Sequence, residues 1–175
     1  TMRLGGVLIF LLVVDDANAR IGEDVVRRLV TTTTSDLSSG YANTPEGGTL
    51  ELTPGTFTGE MSSGRGVDIQ EAINIICTAP DHECILDGMD TRRVVDMDAY
   101  PLDTAVSLTG LKIVRGAGGN GAGVRIDSGT MTMTKCFVSD NNSGAGYGGG
   151  GVRVGSIDAS VILVLCVLQN NSADV

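Results

Sequence analysis

The sequence predicts an all-β chain wound as a β-solenoid of about four to five coils. Three observations carry this. Short apolar-alternating segments recur about every 25 to 30 residues. These segments are rich in Val, Ile and Thr, and they are too short for paired helices. Glycine punctuates them at 25 positions, while aromatic residues make up only 3%, so tight turns and an aliphatic core are expected.

The best-aligned segments are Val106 to Ile113 (VSLTGLKI), Met131 to Val138 (MTMTKCFV) and Val161 to Leu168 (VILVLCVL). Val106, Met131 and Val161 fall in one column, and Leu108, Met133 and Leu163 in another. Leu111, Cys136 and Cys166 form a third, and Ile113, Val138 and Leu168 a fourth. A second set aligns Val95-Asp96-Met97 with Val124-Arg125-Ile126 and Val152-Arg153-Val154. That register keeps every apolar residue on one face, whereas Val94 over Val124 would turn Asp96 inward. One coil cannot bury its own apolar face, so stacking at about 4.8 Å makes the core. Corners absorb the irregular offsets, at Asp98 to Asp103 and at Gly155 to Asp158.

Earlier coils are looser. GGTLELTPGTF from Gly47 alternates as a strand and turns at Pro54-Gly55; Ile73 to Cys77 and Cys84 to Gly88 add two strands. The solenoid is expected over 47–175, behind a cap or lead-in at 20–46, in which Asp24 to Val30 would form a helix or strand over the open end. The sequence stops at Val175 part-way through a coil, which predicts a truncated or uncapped end: a fragment of a longer array, or a coil edge that stacks end to end on a partner.

At the N-terminus, Arg3, the apolar run Val7 to Val14 and Ala17-Asn18-Ala19 have the layout of a signal peptide over 1–19. The competing account is a buried first strand, favoured by Asp15, Asp16 and the Thr1 that precedes Met2. The run is too short to span a bilayer, which needs about 20 residues. A net charge of −9 gives no footprint for nucleic acid, and there are too few aromatics to stack bases. Cations remain allowed partners. Four cysteines fit a secreted chain, and His82, the only histidine, cannot anchor a zinc site.

GGTLELTPGTF, CILDG, LTGLKI and the paired GAGV (Gly121–Val124) and GGGV (Gly149–Val152) resemble right-handed parallel β-helix proteins of the pectin-lyase-like fold. The likeness spans Gly47 to Val175. The paired glycine motifs resemble the repeats of polymorphic outer membrane proteins, which pair a GGA-hydrophobic motif with F-x-x-N. Here that second motif is imperfect: Phe137 is followed at the third place by Asp140, and Val167 by Asn170. The resemblance implies a right-handed helix, as does the general handedness of parallel crossovers. The motifs of the enzymes of this fold are missing: His82 follows Asp81 where the polygalacturonase pattern has Gly-His-Gly, and no Arg is followed by x-Pro.

Several residues merit a chemical reading. Asp96 and Asp98 stand two apart on one strand, so both carboxylates are expected outward. With Asp127, expected over Asp98, and Arg125, over Asp96, they form the candidate catalytic constellation; Asp98 and Asp127 are the candidate calcium pair. The simpler account of Asp96 and Arg125 is a cross-strand ion pair. Cys77 and Cys84 flank a short loop and would close it as a disulfide in an oxidising compartment. Cys136 and Cys166 are expected as buried small residues. Asn141 and Asn170 head N-x-S triplets, read either as glycosylation acceptors or as turn residues. Thr130, Thr132 and Thr134 make an outward row like an ice-binding face, but the aligned coils lack it.

The expectation is therefore a secreted or cell-surface β-helix module for binding, adhesion or scaffolding, with a glycan or surface protein as partner. The alternative is a lyase or epimerase on acidic polysaccharide.

Overall fold

The computed structural model describes residues 3–4, 7–9, 31–58, 64–99 and 101–173. It is a parallel β-solenoid of about four turns. The lead-in comprises β1 (Arg3–Leu4), β2 (Val7–Ile9), β3 (Thr31–Thr34) and α1 (Leu37–Asn43). The first turn is β4 (Thr49–Leu52), β5 (Gly55–Phe57) and β6 (Val67–Ile69). The second is β7 (Ile73–Cys77), β8 (Cys84–Asp87) and β9 (Val95–Asp98). β10 (Ala105–Thr109), β11 (Leu111–Val114) and the first part of β12 (Val124–Thr134) make the third. The rest of β12 opens the fourth, followed by β13 (Phe137–Ser139) and β14 (Val152–Val154); β15 (Ala159–Val164) and β16 (Val167–Gln169) lie above it.

These strands stack into three faces. The first holds β3, β4, β7, β10, the second half of β12 and β15; the second holds β5, β8, β11, β13 and β16. The third holds β6, β9, the first half of β12 and β14. The expected columns are present: Val106, Met131 and Val161 are register partners, as are Ile113, Val138 and Leu168. Val95 pairs with Val124 and Val124 with Val152, the register that apolar alternation predicts.

Inward residues fill one continuous core. Leu50, Ile75, Leu108 and Met133 follow one another up the first face, each fully buried. Each such side chain gains about 1.5–3 kcal/mol from leaving water. The bends between first and second faces need one left-handed residue per coil: Gly110, Lys135 and Leu165 sit there at φ of 71°, 51° and 55°. Arg115, Asp140 and Asn170 do the same after the second face, at 50°, 57° and 52°.

The parallel sheet begins earlier than Gly47, because β3 pairs in parallel with β4. β2 joins β3 antiparallel, and β1 joins β2. So Val7–Ile9, part of the expected leader, is strand, while 10–30, including the Ala17-Asn18-Ala19 cut and the Asp24 to Val30 cap, lies outside the described residues. The helix lies at Leu37–Asn43, capped by the Asp36 carboxylate, which accepts from the Ser38 and Ser39 amides. No described helix is long and apolar enough to cross a membrane.

Candidate functional site

The third face carries most of the outward chemistry. Alternation sends Val95 and Met97 inward, so Asp96 leaves on the outer side, one step along the ladder from Asp68 and from Arg125. Arg153 stands over Arg125. The column therefore reads Asp68, Asp96, Arg125, Arg153.

Asp96 is outward yet covered. Its side chain is only 2% exposed, because Arg65 and Arg93 lie across it, at 2.5 Å and 3.1 Å from Oδ2. The sequence-level expectation that Arg125 neutralises Asp96 is corrected: the arginines come from the corner before each strand, and Arg125 pairs with Asp127 instead. Burial pushes the Asp96 carboxyl up, with Arg93, Arg65 and Arg125 opposing it. Oδ1 of Asp96 and Nε of Arg125 are buried without a hydrogen-bond partner. Arg93 also grips the next coil, donating from Nε to the Gly121 carbonyl at 3.0 Å and from Nη2 to the Asn120 carbonyl at 2.8 Å.

Asp98 and Asp127 are not direct register partners. A register slip between Ile126 and Ser128 puts Ser128 opposite Asp98 and bulges Asp127 out. The Ser128 hydroxyl donates to the Asp98 carboxylate at 3.4 Å and to the Ala99 carbonyl at 2.7 Å. The bulge is silent in the pattern, since one extra residue looks like any other corner insertion. Among the described residues, no group of three or more His, Cys, Asp or Glu side chains is placed to hold a metal ion. Asp96, Arg125 and Asp127 share a face, and Ser128 is the residue bonded to Asp98.

Cys77 and Cys84 are disulfide-bonded, closing the Thr78 to Glu83 loop. Cys136 and Cys166 are free thiols. The Cys136 thiol donates to the Leu108 carbonyl at 3.4 Å, and burial pushes its pKa up to about 11. It is a core residue, not a nucleophile.

The two N-x-S triplets are not equivalent. Asn142 bridges to Ala117 below and Ser172 above, which sets Asn141, not Asn142, beneath Asn171. Asn141 is 0% exposed. Its Nδ2 donates to the Ile113 and Ser139 carbonyls and to Asn171 Oδ1, while its Oδ1 accepts from the Gly116 amide. Its carboxamide is an internal brace with no room for a glycan. Asn170, one residue earlier in the coil, occupies the exposed left-handed corner. The glycine motifs serve this brace: a Cβ at Gly123 would fall 3.0 Å from the Asn141 carboxamide, and one at Gly151 2.9 Å from that of Asn171.

The Thr130, Thr132 and Thr134 row is flanked as expected by Ala105, Ser107 and Thr109 on one side and Ser160, Ile162 and Val164 on the other. Comparison with known proteins gave no match to a family model, a curated protein or a solved structure.

Proposed function

We propose that the protein is a non-catalytic β-helix module of the cell surface or extracellular space, which binds through its outer faces and associates through its coil edge. The observation that carries this is the edge formed by β15 and β16. Leu163 and Leu168 continue core columns, yet each is more than 40% exposed, as are Ile162, Val164 and Val167. Among the described residues no strand pairs with their outer side. An apolar parallel edge is a template for another set of strands. Further coils, of the same polypeptide or of a second copy of this chain, offer the same columns at the same spacing.

The disulfide Cys77–Cys84 supports an oxidising location, and the glycine motifs support a kinship with outer-membrane surface repeats. The lyase or epimerase reading draws less support, because Asp96 is covered by arginines.

Sedimentation of the isolated protein across a range of concentrations tests the proposal. Reversible association is expected, and the double substitution Leu163→Lys and Leu168→Lys should abolish it. A wild-type chain that stays monomeric at every concentration would refute it.

A further inference from the structure

The second face carries a column of sulfur. Cys84, Leu111, Cys136 and Cys166 follow one another up its inward side. Cys84 is taken up in the disulfide with Cys77, and Leu111 separates it from the two free thiols above. Leu111 also shows that the core accepts an aliphatic side chain at this place, so packing alone does not call for cysteine twice in succession.

The two free sulfurs have the same surroundings, one coil apart. The Cys136 thiol donates to the Leu108 and Thr134 carbonyls, at 3.4 Å and 3.5 Å, and its sulfur accepts from the Leu111 amide. The Cys166 thiol donates to the Met133 and Val164 carbonyls, at 3.2 Å and 3.5 Å, and its sulfur accepts from the Cys136 amide at 3.4 Å. Met133 is the register partner of Leu108, and Val164 that of Thr134. Cys136 likewise stands over Leu111, since Phe137 pairs with Lys112. Equivalent side chains in a parallel ladder lie one strand spacing apart, so the sulfurs are about 4.8 Å from each other. A further coil stacked on β16 would cover Cys166 and move neither sulfur.

That separation selects between two chemistries. A disulfide needs its sulfurs about 2.05 Å apart, and both side chains lean the same way, so one would have to leave its position. A zinc–thiolate bond is about 2.3 Å, and a linear sulfur–metal–sulfur unit with bonds of that length spans about 4.6 Å. Two thiolates suit a soft monovalent ion. Zinc and calcium ask for more ligands, and no group of three among the described residues supplies them.

We infer that Cys136 and Cys166 form a two-coordinate site for copper(I). Binding breaks both S–H bonds and forms two S–Cu bonds. Two protons leave, no electron is transferred, and the unit keeps one negative charge. The Leu111 and Cys136 amides already point at the sulfurs and stabilise that charge. The bound ion ties the coil of β13 to that of β16. The site is separate from the outer faces and from the coil edge, and its test does not depend on self-association.

The test is anaerobic titration of the full chain, its Cys77–Cys84 disulfide intact, with the copper(I) acetonitrile complex in competition with bicinchoninate. One ion per chain is expected, held at least about a hundredfold more tightly than zinc(II). Cys136→Ala and Cys166→Ala should each weaken binding about a hundredfold. X-ray absorption at the copper edge should show two sulfur neighbours; it uses the unaltered chain, so it decides even where a variant fails to fold. No binding, zinc(II) held as tightly as copper(I), or a single sulfur neighbour would overturn the inference. So would binding unchanged by Cys136→Ala, which would make the partly exposed Cys166 an adventitious ligand by itself.

Discussion

Asn171 stands directly over Asn141, and the Asn141 carboxamide donates to that of Asn171 at 2.9 Å. The stack braces the corner after the second face, since each carboxamide also reaches down: Asn171 donates to the Val138 carbonyl, and Asn141 to that of Ile113. Asn141→Ala leaves the Gly116 amide unpaired in the interior and removes the Asn141–Asn171 bond. It should cost about 3 kcal/mol in urea unfolding, whereas Asn142→Ala, at an exposed position, should cost no more than about 1 kcal/mol.

Arg93 joins two coils through three bonds from one planar fork. Lysine cannot reproduce that geometry. Arg93→Lys should destabilise by about 3 kcal/mol, because it leaves the covered Asp96 with Arg65 as its remaining partner.

Asp96 also sets a pH dependence. Burial raises its folded carboxyl above the ordinary value of 3.8. The folded state then holds the proton at a pH where the unfolded chain has lost it. Its contribution to stability is complete below 3.8 and falls as pH rises from there to the raised value. Asp96→Asn should remove this decline, measured as the difference between the two proteins' urea midpoints across the acid range.

The left-handed bend offers a gain. Gly110 holds the position at no steric penalty, whereas Lys135 holds it at a penalty of about 1–2 kcal/mol. Lys135→Gly should raise stability by about 0.5–1 kcal/mol once the added freedom of the unfolded chain is counted. Gly110→Ala should lower it, and the same unfolding curves report both.

The four cysteines should separate chemically. Reducing Cys77–Cys84 opens a short loop and should cost about 2 kcal/mol. In the native protein at mildly alkaline pH, iodoacetamide should spare Cys136, whose buried thiol titrates at about 11, and react with the partly exposed Cys166. Peptide mapping reads both.

The columns were legible because stacking imposes them. Val106, Met131 and Val161 repeat since each fills the same place in the core. The repeated Cys and Asn-Asn-Ser phrases belong to that pattern, but their alignment by motif is one residue off. Asn170-Asn171-Ser172 matches Asn141-Asn142-Ser143 by letters, while the backbone puts Asn171 over Asn141. The outward chemistry was harder to read. Arg65 and Arg93 come from corners, where no periodicity points, and the slip at Asp127 has no compositional mark. α1 is short, and its one signal is Asp36 as the cap.

The central claim is that this solenoid associates by adding strands to the edge of β15 and β16. Hydrogen exchange of the full chain at low and high concentration tests it most directly. The account predicts that amides of β15 and β16 become more protected as concentration rises, while those of β10 and β11, already paired on both sides, do not change. Protection at β15 and β16 that is the same at every concentration would contradict it.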